Sequence, residues 1–418
     1  MAVPIFLSPL RHRPFRLLFL GQVISNVGDW LNLLALSSLV LYRWNLDAGA
    51  WGGVLIALTL PSAVLGPLAG VWVDRWSHKP VMIAADLARA VVGVGLVFAP
   101  NLPVVLVLVA AASACATFFD PAKQAMIRAT VPDDDLLTAN GLSQLSSNSA
   151  RLVGPALGGL LVVIAGPRGA FAVDALSFLA SAAFLSRLPG LASERPRGEP
   201  DRRHFWGELR AGLRHLATSR LLAVTVASAV VSSFLIRATD TLGLNVLKAL
   251  GVGEGLVGVS FTALGIGYVV GALVVGQWGD RLAPLLVMGG ARAAVGVVYV
   301  ALGVAVVAGL RGGVTTFLAA FPLSLLLGLG FAATTVGYGA VLMRETPPEL
   351  MGRVTATTGT LQNAVPLAGP LLAIALADWW GLGPTYVLAG AALVVVGILP
   401  LLLPRTRAVS IGHDLSVD

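Results

Sequence analysis

The sequence is poor in charge, because only 12% of its 418 residues are Asp, Glu, Lys or Arg. Soluble chains carry roughly 25% charged residues, so this chain has too little polar surface to face water on all sides. Hydrophobic residues make up 56%, and the mean hydropathy is +0.85. With about 20 apolar residues per spanning helix, a chain of this length accommodates about a dozen spans. The sequence therefore predicts an all-α membrane protein.

Residues and motifs that carry chemistry are also scarce. The single cysteine, Cys115, excludes a disulfide within the chain. None of the five histidines falls in a predicted span, so no metal cluster is expected. The sequence lacks both a phosphate-binding glycine loop ending in Gly-Lys-Ser/Thr and a nucleophile elbow. We therefore expect neither an enzyme nor an ATP-driven pump, and neither a metal nor a cofactor.

Long apolar runs predict twelve spans, all helical because a helix satisfies its own backbone in lipid. The first lacks a small-residue cleavage site and is expected to be retained. The predicted spans are at about 15–42, 50–73, 80–100, 103–122, 138–165, 168–187, 221–247, 254–278, 284–309, 313–341, 350–377 and 381–403.

The basic residues predict the topology. With the N-terminus in the cytoplasm, twenty of the 28 lysines and arginines fall in cytoplasmic segments and four in outer loops. The positive-inside rule thus places both termini in the cytoplasm, with the chain passing repeatedly through the cell (inner) membrane. This bias also explains the net charge of +7 without a nucleic-acid partner.

One polar segment divides the chain. It covers 188–220 and separates an N-terminal six-helix bundle, 1–187, from a C-terminal six-helix bundle, 221–418. The stretch from Phe205 to Leu222 is either an amphipathic helix on the membrane surface or part of a solvated linker.

The two halves resemble each other. Gly70-Val-Trp-Val-Asp-Arg75 recurs as Gly276-Gln-Trp-Gly-Asp-Arg281, and Asp29 of the first span aligns with Asp240 of the seventh. All offsets are close to half the chain length. Parallel repeats of six spans, with the site between them, are a known transporter architecture.

The segment Gly70-x-x-x-Asp74-Arg75-x-x-x-Lys79 resembles the signature loop of the major facilitator superfamily, although Ser77 and His78 replace a glycine and a basic residue. Phe119-Asp-Pro-Ala-Lys-Gln-Ala-Met-Ile127 and Gly154-Pro-Ala-Leu-Gly-Gly159 resemble the exporter branch that contains the enterobactin exporter and macrolide efflux proteins. Similar phrases occur in the lysophospholipid transporter branch. The resemblance implies two pseudo-symmetric six-helix bundles in a monomer.

The resemblance also implies a gate at the cytoplasmic end. Asp74 would face the N-terminus of the eleventh helix, where the helix dipole favours a carboxylate. Basic side chains would pair with Asp74 and Asp120; the alternative is that Arg75 and Lys79 only follow the positive-inside rule. The predicted gate comprises Gly70, Asp74, Arg75, Lys79, Asp120, Arg128, Asp280 and Arg281.

A polar stripe in the first span predicts part of the pathway. Gln22, Asn26 and Asp29 share one helix face and can line a central cavity. A charge at the bilayer centre costs ~2.5–3.5 kcal/mol or more, so it normally faces a cavity or a partner. Asp29 is the candidate for a carboxylate that binds and releases protons; otherwise it is a structural carboxylate bonded to a neighbouring helix.

Further intramembrane charges extend this pathway. Arg237 and Asp240 either neutralise each other, or Arg237 pairs with Asp29 across the halves. Arg151 binds an anionic substrate, pairs with Asp29, or forms a structural salt bridge. The weaker cavity candidates are Tyr338, Gln362 and Asn363.

Four other intramembrane charges are assigned to other roles. Asp86 and Arg89, with Arg292 as the repeat counterpart of Arg89, are expected to join the cytoplasmic cluster rather than the substrate site. Asp174 is expected to be structural.

Taken together, these features predict a secondary active transporter that exports an amphipathic small molecule (a drug, macrolide or siderophore-like compound) in exchange for protons. The alternative is a lipid or lysophospholipid transporter, which needs an opening towards the bilayer. The expected partners are the small molecule, protons and membrane lipid.

Overall fold

The structure is a computed structural model that describes residues 5–73, 75–189, 214, 216, 219–278, 283–312 and 314–402. Every regular element in these ranges is a helix, as the sequence predicts. The predicted linker 188–220, with its amphipathic stretch, lies almost wholly outside the described residues. The domain boundaries drawn there therefore stay predictions.

In the first half a 3₁₀ helix, Ile5–Arg11, precedes α1 (Arg13–Ser37), which continues as a π-helix over Ser38–Arg43. The last two helices of the first half come from one helical run, Asp133–Ser186, in which Gly166 has a φ of 69°. Glycine adopts this backbone conformation at little steric cost, and it divides the run into α5 (133–165) and α6 (167–186). The helices between are α2 (Ala48–Val73), α3 (His78–Val97) and α4 (Leu102–Thr130).

The second half has the same order of crossings, with one of them broken. A short 3₁₀ segment, Val365–Ala368, interrupts the eleventh crossing before Gly369-Pro370. Proline cannot donate a backbone hydrogen bond, which favours a new helix start here. The helices are α7 (Arg220–Ala249), α8 (Glu254–Trp278), α9 (Pro284–Val307), α10 (Val314–Glu345), α11 (Pro348–Ala364), α12 (Gly369–Trp380) and α13 (Leu382–Ile398).

The number of crossings agrees with the prediction. Ten helices in the described ranges are long and apolar enough to span a membrane. One of them is the run that Gly166 divides, so it gives two crossings, and α11 and α12 together give one more. The described chain thus contains the twelve predicted crossings.

Among the described residues, the buried apolar cluster that joins the halves lies at one end of the molecule. We call the end where α1 begins and α13 ends the terminal face, and the end with the turns 44–47 and 250–253 the far face. A single buried cluster combines both halves near the far face, with Leu41 and Val257 among its members. Towards the terminal face each half has its own cluster, one around Met82 and one around Val354. This arrangement leaves a central space that widens towards the terminal face.

Candidate functional site

Polar contacts close the central space at the far face. The guanidinium of Arg43 lies 3.0 Å from a carboxylate oxygen of Glu254, and the Ser38 hydroxyl donates to the other oxygen at 2.6 Å. The Tyr42 hydroxyl donates to the Val252 carbonyl at 3.0 Å. Each contact joins the end of α1 to the start of α8. Glu254 therefore connects the halves, a role that the sequence did not indicate.

Two glycines bring the halves into backbone contact beside this closure. A Cβ added to Gly159 of α5 would lie 2.9 Å from the Cα of Gly258 in α8. Only residues without a side chain allow such an approach. The far-face ends of α5 and α8 are therefore in direct contact.

Two adjoining cavities occupy the space between the halves. Their volumes are about 460 and 270 Å³, and Arg151, Asp240 and Phe331 line both. The larger cavity includes Leu145 of α5 and Leu273 of α8, whose side chains are largely exposed. The smaller cavity lies nearer the far face, where Trp30 and Trp51 contribute aromatic surface.

Several predicted pathway residues line these cavities. Arg151 and Asp240 line both, Arg237 lines the smaller one, and Tyr338 and Gln362 line the larger one. Asp240 lies within electrostatic reach of Arg237 and Arg151.

The predicted ion pairs of the two arginines are absent from the described ranges. No described carboxylate oxygen lies within 4.0 Å of Arg151 or Arg237. The pairing of either arginine with Asp29, and the close pairing of Arg237 with Asp240, are therefore not found. Asn363 lies in α11, but its side chain is outside what the structure describes.

Gln22 and Asn26 are placed differently from the prediction. Gln22 is buried, and the Asn26 amide donates to Ser146 at 3.2 Å and to Ser147 at 3.3 Å. Neither residue lines the two cavities, because this face of α1 packs against α5. Asn26 thus joins α1 to α5 within the first half.

Asp29 belongs to a charged group inside the first half. Its Oδ1 lies 3.9 Å from a guanidinium nitrogen of Arg89, which forms an ion pair with the fully buried Asp86. The guanidinium also lies 4.8 Å from the ring centre of Phe119 and 4.2 Å from that of Phe178. Asp86 and Arg89 are not among the described residues that line the two cavities, and the Arg89 side chain reaches Asp29 within the bundle. Their expected membership of the cytoplasmic cluster stays a prediction.

Two more acids complete this group. Asp174 is fully buried and accepts a hydrogen bond from the Asn32 amide at 2.5 Å, which agrees with its expected structural role. Asp120 lies 2.7 Å from Lys123. Both carboxylates are within electrostatic reach of Asp29. We call Asp29, Asp86, Asp120 and Asp174, with Arg89 and Lys123, the carboxylate cluster.

The predicted gate is only partly described. The Lys79 ammonium donates to the carbonyls of Ser186 and Leu188 at 2.8 and 2.5 Å, so it caps the end of α6. Asp120 pairs with Lys123 in the carboxylate cluster. Among the described residues, the base that pairs with Asp120 is thus Lys123 rather than Lys79.

The remaining gate residues give no test of the gate. Arg75 and Arg128 are exposed, and Gly70 lies within α2. Asp74, Asp280 and Arg281 lie outside the described residues, so the gate stays a prediction.

Arg292 lines the larger cavity rather than a terminal-face cluster. Its side chain is 2% exposed, and one guanidinium nitrogen donates to the Ser228 hydroxyl at 2.7 Å. Arg292 is the repeat counterpart of Arg89, but no described carboxylate oxygen lies within 4.0 Å of it. The expectation for Arg292 is therefore wrong, because α9 packs beside α7 and directs this side chain inward.

Two six-span halves that close one face and leave a charged cavity between them define a membrane transporter. The family model of the Major Facilitator Superfamily matches residues 18–247 and 241–415. The chain belongs to this superfamily, and it is a multi-pass membrane transporter rather than an enzyme.

Curated relatives include several efflux proteins. The chain is 28% identical to the multidrug efflux pump Tap of Mycolicibacterium fortuitum, over 96% of this chain and 98% of Tap. It is 24% identical to macrolide efflux protein A of Streptococcus pyogenes, over 83% of this chain and 85% of that protein. It is 26% identical to the uncharacterised transporter YfiS of Bacillus subtilis, over 92% of each. The chain is thus consistent with the exporter branch of the superfamily.

Solved structures share the fold. The nucleoside transporter NupG has a TM-score of 0.69 at 12% identity, over 93% of this chain and 98% of NupG. A bacterial homologue of the human lysosomal transporter Spinster, inward-facing and unoccupied, has a TM-score of 0.64 at 13% identity, over 96% of each chain. At these identities the likeness concerns the fold alone.

Proposed function

We propose that this protein exports an amphipathic small molecule from the cytoplasm in exchange for protons, by alternating access. Its efflux relatives are named for macrolides and for several drugs, which supports export of amphipathic compounds. The cavity between the halves supports the same function, since aromatic and aliphatic side chains make up most of its wall and a few charges interrupt it.

The orientation follows from the basic residues. Twenty of the 28 lysines and arginines fall in segments assigned to the terminal face, which supports placing that face and both termini in the cytoplasm. In this orientation the structure is inward-facing, with the outer side closed by Glu254. One chain encloses the whole cavity, which supports a monomer as the working unit.

The carboxylate cluster is the observation that carries proton coupling. It brings four acids together with two bases inside one half. Unpaired charges are unfavourable within a membrane. The cluster has four acids and two bases, so a bound proton would reduce its excess negative charge. Asp29 is half exposed, at 53%, and so offers the cluster a contact with water.

Proton binding at Asp29 would change the contacts of Arg89. A neutral Asp29 no longer attracts Arg89, which then interacts with Asp86 alone. Asp29 lies on α1, which continues into the π-helix that carries Ser38 and Arg43 of the outer closure. A change at Asp29 can therefore act on the closure along one continuous helical segment. Protons would in this way favour one of the two states of the transporter.

The experiment uses inside-out proteoliposomes with an acidic lumen and a panel of erythromycin, ethidium and fluorescein. We expect the wild-type protein to accumulate at least one probe, and a protonophore to abolish the accumulation. Asp29→Asn should lose accumulation but retain downhill exchange, since the substitution removes the proton site and leaves the cavity. Asp378→Asn, at an exposed acid on α12, is the matched control. Equal accumulation by the wild-type protein and Asp29→Asn would rule out this coupling.

Movement of a lipid is the second candidate. Leu145 and Leu273 line the larger cavity on α5 and α8, and their side chains are 58% and 60% exposed. The same two helices are in contact at Gly159 and Gly258 near the far face. An apolar opening towards the bilayer can therefore lie between the ends of α5 and α8 at the terminal face. Transfer of fluorescent lysophosphatidylcholine between leaflets without a proton gradient would favour this candidate.

A further inference from the structure

The cavities have an excess of positive charge. The described residues of their walls include three arginines, Arg151, Arg237 and Arg292, and a single acid, Asp240. One carboxylate compensates one guanidinium, so two positive charges remain without a counter-charge in the walls. A ligand that enters this space meets a net cationic surface.

Arg292 shows this lack of a counter-charge most clearly. The side chain is almost fully buried. Among the described residues its Nε has no hydrogen-bond partner, and one guanidinium nitrogen donates to the neutral Ser228. A buried guanidinium normally has a carboxylate beside it, because an unpaired buried charge is strongly unfavourable. Arg89, its repeat counterpart, has Asp86 in that position.

Arg151 provides a second cation from the opposite half. It projects from α5 into both cavities, and its side chain is exposed there. Asp240 interacts electrostatically with Arg151 and also with Arg237, so its single charge is shared between them. Tyr338 and Gln362 line the same cavity as Arg292 and can donate hydrogen bonds to an oxygen ligand.

The smaller cavity is suited to an apolar group. Trp30, Trp51, Phe261 and Tyr386 line it, with the shared Phe331 at its junction with the larger cavity. Aromatic side chains offer large apolar contact areas. The two cavities together therefore present a cationic part and an aromatic part to a single ligand.

We propose that the transported ligand is an amphipathic anion, whose carboxylate or phosphate group binds between Arg292 and Arg151 while its apolar part occupies the aromatic cavity. This inference rests on the proposed export function and narrows its substrate class. Guanidinium groups bind carboxylates and phosphates through paired hydrogen bonds, which explains the use of arginine here. The ligand then supplies the negative charge that the cavity walls lack.

Calorimetric binding to the purified full-length protein in detergent tests this proposal. Three probes share one aromatic ring system and differ in charge: naphthaleneacetate, naphthaleneacetamide and naphthylethylamine. We expect the acetate to bind at least about tenfold more tightly than the amide, and the amine to bind most weakly. Lysophosphatidylglycerol, compared with lysophosphatidylcholine, distinguishes a lipid head group from a soluble anion as the source of the acidic group.

Variants of the cavity residues locate the site. Arg292→Gln and Arg151→Gln should each weaken binding of naphthaleneacetate about tenfold, and Arg292→Lys should recover part of that loss. Asp240→Asn should tighten binding, because it removes the single acid among the described wall residues. Arg311→Gln, at an exposed position outside the cavities, should leave binding unchanged.

Three results would overturn the proposal. They are tightest binding by the amine, unchanged acetate binding in both glutamine variants, and absence of binding by both the acetate and lysophosphatidylglycerol. These measurements need no proton gradient, so they are independent of the Asp29→Asn transport assay. Failure of the charge preference alone therefore leaves export and proton coupling standing.

Discussion

Replacing Glu254 by Gln should open the outer side of the protein. The carboxylate accepts a hydrogen bond from Ser38 at 2.6 Å and lies 3.0 Å from Arg43, so it holds the end of α1 against the start of α8. Glutamine has nearly the same shape and keeps an oxygen acceptor for Ser38. The substitution therefore removes the charge and little else.

The size of the effect follows from the two contacts. Hydrogen bonds to charged groups contribute about 1.5–3 kcal/mol and neutral ones about 1 kcal/mol, so the Ser38 contact weakens by about 0.5–2 kcal/mol. The Arg43 side chain is 54% exposed, so solvent limits its ion pair to about 0.2–1 kcal/mol. A total of about 1–3 kcal/mol changes the ratio of closed to open molecules by about 5–150-fold.

Distance measurements between spin labels report this change. Cys115 is replaced by alanine, and labels are placed at Phe98 and Leu310, exposed positions that follow α3 and α9 at the far face. Glu254→Gln should add a population with a longer distance between the labels. Glu345→Gln, at an exposed acid at the terminal end of α10, is the control and should not. Identical distance distributions for Glu254→Gln and wild type would show that the Glu254 carboxylate does not hold the far face closed.

Two further substitutions test the packing and the carboxylate cluster. Gly159→Val places a side chain against Gly258, and overpacking of about 1–3 kcal/mol should reduce the closed population measured with the same labels; unchanged distances would contradict the close contact. Asn32→Ala leaves the fully buried Asp174 without its amide donor and should lower the free energy of unfolding by about 1–3 kcal/mol. The double variant Asn32→Ala/Asp174→Asn should recover most of the lost stability, measured by thermal unfolding. No recovery would count against the Asn32–Asp174 hydrogen bond.

The fold was largely predictable because lipid leaves the chain few choices. The lengths of the apolar runs predict the number of membrane crossings, and the repeated Asp-Arg pair predicts two similar halves. Gly166-Pro167 separates the fifth and sixth crossings close to where the predicted boundary lies. The break at 365–368 was not predicted, because an apolar run gives the length of a crossing but not the continuity of its helix.

The site was less predictable, because the spacing of polar residues shows which of them share a helix face but not which other helix that face contacts. Asp240 and Arg151 line the cavities, as a charge within a span suggests. Asn26 lies one helical turn from Asp29 but contacts α5 instead. Glu254 gave no signal, since its partner Arg43 lies 211 residues away and neither residue stands in a motif.

In the proposed coupling, protonation of the carboxylate cluster controls closure of the outer side. The direct test measures the distance between labels at Phe98 and Leu310 from alkaline to mildly acidic pH, without any ligand. In the closed state Asp29 lies within electrostatic reach of Asp86, Asp120 and Asp174, and a proton on Asp29 relieves this repulsion, so protons should favour that state. Acidification should therefore increase the closed population of wild type, and Asp29→Asn should stay closed at every pH. A wild-type distribution that does not change with pH, or an unchanged response in Asp29→Asn, would contradict the account.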